Sequence, residues 1–498
     1  MKRLENKNTS VGRSTLELSQ NSNIYKDITE EVLKSSWKEE CAVFGVWGDP
    51  EASRVGYLGL FAQQHRGQES AGLVSLDDSG HHVIDKGMGL VGDVFKEANL
   101  KRLKGKAAIG HVRYSTTGRN LMENAQPLTA QLFNGPVAIA HNGNLVNSNE
   151  LRETLKKEGS IFQGSSDTEC LLHLLARDPS NDMKECLREA AKKLEGAFSM
   201  VLLNKDALYV LRDSKGFRPL VLGKRKFEGG ESYVVASETC AFDLIGAEFI
   251  RQVEPGELLK ITDAGVESEF FAKSEKLHRC VFEHVYFARP DSKVFGEHVY
   301  SVRKNMGRIL AKENPVEADI VVPVPDSGVP SAIGYAEASG IPFEMGIIRN
   351  HYIGRTFIQP SQAIRDSGVK IKLNPQKLIL EGRRVILVDD SIVRGTTSKK
   401  IIDLVRKAGA KEVHFRVSAP PTTGPCYYGV DTPEKDKLIA SQKSIEEIRQ
   451  HIGADSLGYL STDGLVEAAA KGKTMENWNY CSACFTGDYP TQIQKSAR

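Results

Sequence analysis

Residues 384–398, RVILVDDSIVRGTTS, set two adjacent carboxylates, Asp389 and Asp390, directly after a run of apolar β-formers and before a loop of small hydroxyl residues that opens a helical pattern. In open α/β sheets, ligands bind beyond the carboxyl ends of the strands, where this acid pair falls. Two carboxylates there can accept hydrogen bonds from vicinal sugar hydroxyls or approach a hydrated Mg2+. The backbone N–H groups of Val393 to Thr397, with the hydroxyls of Thr396, Thr397 and Ser398, can cradle a phosphate at the helix N-terminus. The stretch is neither G-x-x-x-x-G-K-[ST] nor G-x-G-x-x-G, which argues against nucleoside triphosphate and dinucleotide sites of those kinds.

Sulfur offers a second chemistry. Cys41 stands in KEECAVFGVWG (38–48), between an acidic pair and a short apolar run. On that pattern alone it reads as a buried strand residue, because free Cys is among the most buried residue types. Cys481 and Cys484 form a C-x-x-C in NYCSACFTGDYP, while Cys280 and Cys426 are far away in sequence. Four thiolates could bind Zn2+ or an iron–sulfur cluster, and spacing alone does not choose. Cys170, Cys186 and Cys240 read as packing residues. Eight cysteines in 498 residues, mostly unclustered, argue against a disulfide framework.

These groups need elements to position them. The length fits two domains or three. Residues 1–40 are polar and read as an extension, with a short helical pattern at DITEEVLKSSW. From 41 to 270 short apolar runs closed by turn residues (AVFGVWG, AAIGHVRYST, PVAIAHNGN, FSMVLLN, ALYVLRD, SYVVASE) predict strands, with helices over 148–158, 167–176 and 183–194. That is an α+β layered domain. From 271 to 498 continuous apolar strands alternate with amphipathic helices such as TTSKKIIDLVRKAG, which predicts βαβ units around a mainly parallel sheet.

The 66 basic and 64 acidic side chains leave a net charge of +2, so neither a nucleic-acid nor a membrane partner is expected and any anion site must be local. No apolar run approaches the roughly 20 residues that span a bilayer. With no secretory or transit pattern at the N-terminus, a cytoplasmic location is expected.

The 384–398 stretch resembles the phosphoribosyl pyrophosphate motif of type I phosphoribosyltransferases. Two further segments fit the same ligand. VVPVPDSG (321–328) ends a strand with Asp326 and Ser327, oxygen-bearing groups placed to meet a pyrophosphate-bound metal. RNHYIGRTFIQPSQAIRDSGVKIK (349–372) carries Arg349, Arg355, Arg365, Lys370 and Lys372 against a single acid, Asp366, a local positive field suited to pyrophosphate. In the other half, QHRGQESAG (64–72), GHVRYSTTG (110–118), HNGNLVN (141–147) and SSDTE (165–169), following CAVFGVWG, resemble class II glutamine amidotransferase domains of the N-terminal-nucleophile (Ntn) hydrolase fold. The two halves joined in this order resemble the glutamine phosphoribosyl pyrophosphate amidotransferase family, in its iron–sulfur-containing subgroup.

The resemblance implies that Cys41 becomes the first residue once 1–40 are removed. A terminal α-amino group titrates near about 7.7–8.0 and can serve as base for the adjacent thiol, which the Glu40–Cys41 amide cannot do. It further implies an oxyanion hole from the Asn142 side chain and the Gly143 N–H, glutamine held by Arg113 and Asp167, and ammonia passed to the sugar to give 5-phosphoribosylamine, the first committed step of purine synthesis. Phosphoribosyl pyrophosphate would be held by Asp389, Asp390, Ser391, Val393, Arg394, Gly395, Thr396, Thr397 and Ser398 with Arg355 and Lys372, and Mg2+ by Ser327, Asp389 and Asp390. A 4Fe–4S cluster would sit on Cys280, Cys426, Cys481 and Cys484. Purine nucleotides as inhibitors and a homotetramer or homodimer are also implied. Ala42 departs from the family, which usually has Gly beside the nucleophile. The rival from another class is a phosphoribosyl pyrophosphate-binding regulator without turnover, which would use the second half but not Cys41, Arg113, Asn142 and Asp167.

Overall fold

The computed structural model describes residues 41–114, 122–350, 373–470 and 478–493. In the first half two sheets lie face to face. One has seven strands in the order Ala247–Gln252, Val221–Phe227, Gly230–Ala236, Ala42–Trp47, Ala107–Arg113, Ser70–Leu76 and His82–Met88. The other has six: Gly265–Phe270, Glu257–Thr262, Leu208–Arg212, Gly196–Leu203, Gly135–Leu145 and Leu128–Leu132. Side chains alternate across a strand, so a continuous apolar run means burial on both faces. Val43 enters the core between the sheets with Ile109, Ala140 and Val201, while Ala42, Phe44 and Val46 pack outward against the helix Ala52–Ala62. On the second sheet Val137 and Ile139 turn outward to the helices Glu169–Arg177 and Met183–Ala191. The result is a four-layer helix–sheet–sheet–helix stack, with Cys41 at the head of a central strand.

The second half is built on a parallel four-stranded sheet, Ile320–Pro323, Arg384–Asp389, Glu412–Val417 and Ser456–Tyr459. Helices Val299–Glu313 and Val329–Ser339 cover one face through Val302, Met306, Leu310 and Tyr335. Thr396–Lys407 and Ile445–Ile452 cover the other through Ile401, Ile402, Val405 and Ile448. The strands are parallel, so all carboxyl ends share one edge.

A buried ionic network joins the halves. Arg66 pairs with Glu238 and with Glu283, Arg218 Nη1 reaches Glu283 at 3.2 Å, and all four side chains are fully buried. Ser292 and the Arg289 N–H also donate to Glu238, at 2.6 and 2.9 Å. Burial pushes the Glu238 carboxyl up, but Arg66 and His65 outweigh it and hold it well below its ordinary 4.5. Glu238 therefore contributes stability above the usual carboxylate range and loses it as pH falls through its depressed folded value. Glu238→Gln breaks a buried pair and is expected to cost about 3–5 kcal/mol at pH 7. Urea melts should show a lower midpoint, with the gap to wild type closing as pH falls below the ordinary carboxylate value.

Candidate active sites

Cys41 precedes the strand Ala42–Trp47, whose antiparallel register pairs Ala42 with Val112. That register carries Arg113, the last residue of its own strand, to the side of Cys41. The thiol donates to Tyr114 O at 3.5 Å. Burial pushes the Cys41 thiol up to about 11, with the Arg113 guanidinium opposing and the Asp167 and Glu69 carboxylates adding to the rise. Such a thiol is almost wholly protonated near neutral pH and needs a base beside it to act as a nucleophile.

Asp167 is buried, which by itself would raise its pKa. His141, with Nδ1 3.7 Å away, and the N–H groups of Leu145 (2.9 Å) and Thr168 (2.8 Å) win, and the carboxylate is held below its ordinary value. Asp167 is thus an anion at physiological pH, suited to an α-ammonium, and Arg113, which acts on the same thiol, is suited to an α-carboxylate. His141 is fixed by Gln126, whose Oε1 accepts its N–H at 2.8 Å, and by Thr168 Oγ1 at 3.1 Å from Nδ1.

Asn142 and Gly143 lie near the end of the strand Gly135–Leu145. Ser237 Oγ accepts hydrogen bonds from Val43 N–H (3.0 Å) and Asn142 Nδ2 (3.2 Å), tying the Asn142 amide to the strand that follows Cys41. Gly143 faces Phe198 across the sheet, and Phe198 directs its own N–H and C=O to Asp213, at 3.1 and 2.8 Å. Because a strand residue points both groups to one side, the pair Gly143 and Phe198 is not hydrogen-bonded, and Gly143 N–H points away from the ladder. Its φ of +147° and a space where a Cβ would stand 2.1 Å from Ala197 O admit glycine alone. The sequence-predicted residues Cys41, Arg113, Asn142, Gly143 and Asp167 therefore meet at one end of the two sheets. Ser237, Gln126, His141 and Thr168 are not singled out as site residues by the sequence, since each acts through a hydrogen bond that spacing does not encode.

In the second half Asp389 ends its strand and Asp390 follows. Asp390 N–H donates to Asp389 Oδ1 (2.9 Å) and Ser391 Oγ to Asp390 Oδ2 (2.5 Å). Burial, and then the neighbouring Asp390, push the Asp389 carboxyl well above its usual 3.8. A cation or hydroxyl donors arriving at this pair would relieve that repulsion. Gly395, at φ +78°, begins the helix Thr396–Lys407, and Val393 O accepts Ile439 N–H at 2.9 Å, fixing the loop between them. Thr396 is exposed, Arg394 and Thr397 are half-buried and Ser398 is buried. Val324 N–H donates to Val388 O at 2.8 Å, which brings the turn carrying Ser327 against the strand end. Asp326, expected to meet a pyrophosphate-bound metal, pairs with Arg349 at 2.5 Å. Arg355 and Lys372 lie outside the described residues, as do residues 1–40. Sequence reasoning misses Arg303, which is buried in the helix Val299–Glu313 and donates to His284 O (2.7 Å), Tyr286 O (2.7 Å) and Ala288 O (2.8 Å).

Cys280, Cys426, Cys481 and Cys484 line one small cavity walled by Phe217, Phe282 and Tyr428. The parallel pairing of Arg279–Cys280 with Tyr480–Cys481 sets Cys280 beside Cys481. Burial pushes Cys280 up to about 11 and Cys481 and Cys484 well above 9.0, with Cys426 adding to the rise of all three and Cys280 to that of Cys481 and Cys484. Among the described residues no three His, Cys, Asp or Glu side chains are grouped to hold a metal ion. Four thiols converging on one apolar cavity are a donor set that fits a soft metal ion or an iron–sulfur cluster. Cys170, Cys186 and Cys240 are buried in cores, as expected of packing residues.

Residues 111–243 match the family model described as a glutamine amidotransferase domain, and 298–455 that of a phosphoribosyl transferase domain. The chain is 51% identical to the amidophosphoribosyltransferase of Bacillus subtilis over 456 residues, 91% of this chain and 95% of that one. It is 52% identical to a chloroplastic amidophosphoribosyltransferase 1 of Arabidopsis thaliana over 91% of this chain and 79% of that one. The solved glutamine phosphoribosyl pyrophosphate amidotransferase of B. subtilis, complexed with ADP and GMP, superposes with a TM-score of 0.86 at 50% identity, covering 92% of this chain and 98% of that one. An Ntn-hydrolase layered domain followed by a phosphoribosyltransferase domain, each with a buried polar site at a sheet end, is thus matched along nearly the whole length, and the chain belongs to the amidophosphoribosyltransferase family.

Proposed function

We propose that this chain takes ammonia from glutamine at Cys41 and transfers it to phosphoribosyl pyrophosphate, giving 5-phosphoribosylamine, glutamate and pyrophosphate. The observation that carries the reading is the gathering of Cys41, Arg113, Asn142, Gly143 and Asp167 at one site in a chain that also carries the Asp389–Asp390 strand end. A regulator that only bound a sugar phosphate would have no use for the first site.

In the glutaminase half, Arg113 takes the substrate α-carboxylate and Asp167 its α-ammonium. The Cys41 α-amine, free once residues 1–40 are removed, accepts the thiol proton, and the thiolate adds to the side-chain carbonyl carbon. Asn142 Nδ2 and Gly143 N–H receive the oxyanion. The C–N bond then breaks, the amine returns its proton to the departing ammonia, and water cleaves the thioester to release glutamate and restore the thiol.

At the second site the nitrogen bonds to ribose C1 as the C1–O bond to pyrophosphate breaks. Asp389 and Asp390 accept the ribose hydroxyls, and the 393–398 loop holds the 5-phosphate. Asp389 and Asp390 with Ser327 would hold a Mg2+ ion, which would supply positive charge for the leaving pyrophosphate. Arg355 and Lys372 would add positive charge.

Cys280, Cys426, Cys481 and Cys484 would hold a 4Fe–4S cluster in a structural or oxygen-sensing role. Purine nucleotides act as inhibitors in this reading, in keeping with the ADP and GMP in the B. subtilis complex. No described helix is long and apolar enough to cross a membrane; a cytoplasmic homotetramer or homodimer is the assembly we assign. Intact mass of protein purified without oxygen tests the reading. A denatured chain beginning at Cys41, and native mass in excess by four iron and four sulfide, are expected. A chain retaining 1–40 while active with glutamine would remove the α-amine from the mechanism.

A further inference from the structure

The strand end that carries Gly143 is gripped from three sides. Asp167 accepts Leu145 N–H at 2.9 Å, and the strand Gly196–Leu203 pairs Asn144 with Ala197. The third grip comes from the other half of the chain. Asn144 Nδ2 donates to Tyr427 O at 2.9 Å, and Gly429 approaches so closely that a Cβ on it would stand 3.0 Å from both Cα and C of Gly143. Gly429 has φ +104°, a backbone that L side chains rarely adopt.

The loop making this contact is itself fixed. Cys426 N–H donates to Thr432 Oγ1 at 2.6 Å, the Tyr428 ring stacks on Phe217 with centroids 4.2 Å apart, and Tyr428 O–H pairs with Thr491 Oγ1 at 2.9 Å.

We infer that the loop Cys426–Gly429, contributed by the phosphoribosyltransferase half, is a positioning element for the oxyanion hole of the glutaminase half, with Gly429 and the Tyr427 carbonyl setting where Gly143 N–H sits. The inference rests on the reading of Gly143 as an oxyanion donor. A side-chain donor can be re-aimed by a rotamer change, but a backbone N–H goes only where its strand goes. An oxyanion donor must lie about 2.7–3.1 Å from the developing charge, so a shift of a few tenths of an ångström matters. Arg113 and Asp167 bind the far end of glutamine, so the loop governs turnover and not substrate capture. The sugar-phosphate site, on another sheet, is not altered by it.

Full-length Gly429→Ala and Asn144→Ala test this beside wild type. The first crowds Gly143; the second removes the donor to Tyr427 without touching the loop. The expected result is a glutamine-dependent kcat lower by about 10²-fold in Gly429→Ala, with less loss in Asn144→Ala. The KM for glutamine, ammonia-dependent synthesis and the rate of Cys41 alkylation by iodoacetamide, which needs no oxyanion donor, should stay at wild-type values. Glutamine-dependent kcat unchanged in both variants overturns the inference. So does a parallel loss of ammonia-dependent synthesis or alkylation, which would make the loop a general support. A wild type inactive with both nitrogen sources would instead overturn the functional reading, and the inference with it.

Discussion

Cys41→Ala should abolish glutamine-dependent synthesis of 5-phosphoribosylamine while ammonia-dependent synthesis continues at the wild-type rate. The two nitrogen sources share the sugar site but not the first site. In the proposed mechanism Cys41 alone attacks the amide, so its removal takes away covalent catalysis altogether; the loss should reach about 10⁴-fold or more. The side chain lost is small and its thiol makes a weak contact to Tyr114 O, so folding should be little affected. Steady-state assays with glutamine and with ammonium salts at alkaline pH give the comparison. Equal loss with both sources would mean that Cys41 supports the fold and that the reaction does not begin there.

Asp389→Asn should give the opposite pattern, a fall of about 10²-fold or more with either nitrogen source, because charge placed where it is needed in the transition state is commonly the largest single catalytic contribution. Its stability effect should run the other way. The Asp389 carboxyl sits well above 3.8 in the folded chain because it is buried beside Asp390. A carboxyl whose folded pKa is raised weakens folding increasingly as pH climbs above its unfolded value, so at pH 7 the burial of this carboxyl beside Asp390 opposes the fold. Asn keeps the shape and an acceptor oxygen without the charge. Thermal unfolding at pH 7 should therefore occur at an equal or higher midpoint, with the advantage vanishing near pH 4. An inactive but no less stable variant identifies a strained binding group; an inactive and unstable one would make Asp389 a structural residue.

Much of the site is legible in the amino-acid sequence, for identifiable reasons. RVILVDDSIVRGTTS works because strand, acid pair and phosphate loop are contiguous, so the motif carries its own geometry. The six strands that apolar runs predict in the first half are interior strands, where both faces are buried and nearly every residue is apolar. His82–Met88, Leu128–Leu132, Ala247–Gln252 and Gly265–Phe270 escape that pattern, because much of their surface is half-buried or exposed and mixed in polarity. Ser70–Leu76 escapes it for another reason: it is wholly buried, but by close packing of small and hydroxyl residues that apolar patterning does not flag.

By itself the sequence determined the order of the two folds, the acid pair and its loop, and the identity of Cys41, Arg113, Asn142, Gly143, Asp167 and the four clustered cysteines as candidates. Only the tertiary structure decided that Asp326 pairs with Arg349, that Ser237 ties Asn142 to the strand after Cys41, that Arg66, Glu238, Glu283 and Arg218 lock the halves together, and that Gly429 leans on Gly143 from the far half of the chain. The division has one physical cause. A local motif is written in neighbouring residues whose spacing the backbone preserves, whereas a hydrogen bond or a van der Waals contact between distant segments exists only once packing has brought them within a few ångströms.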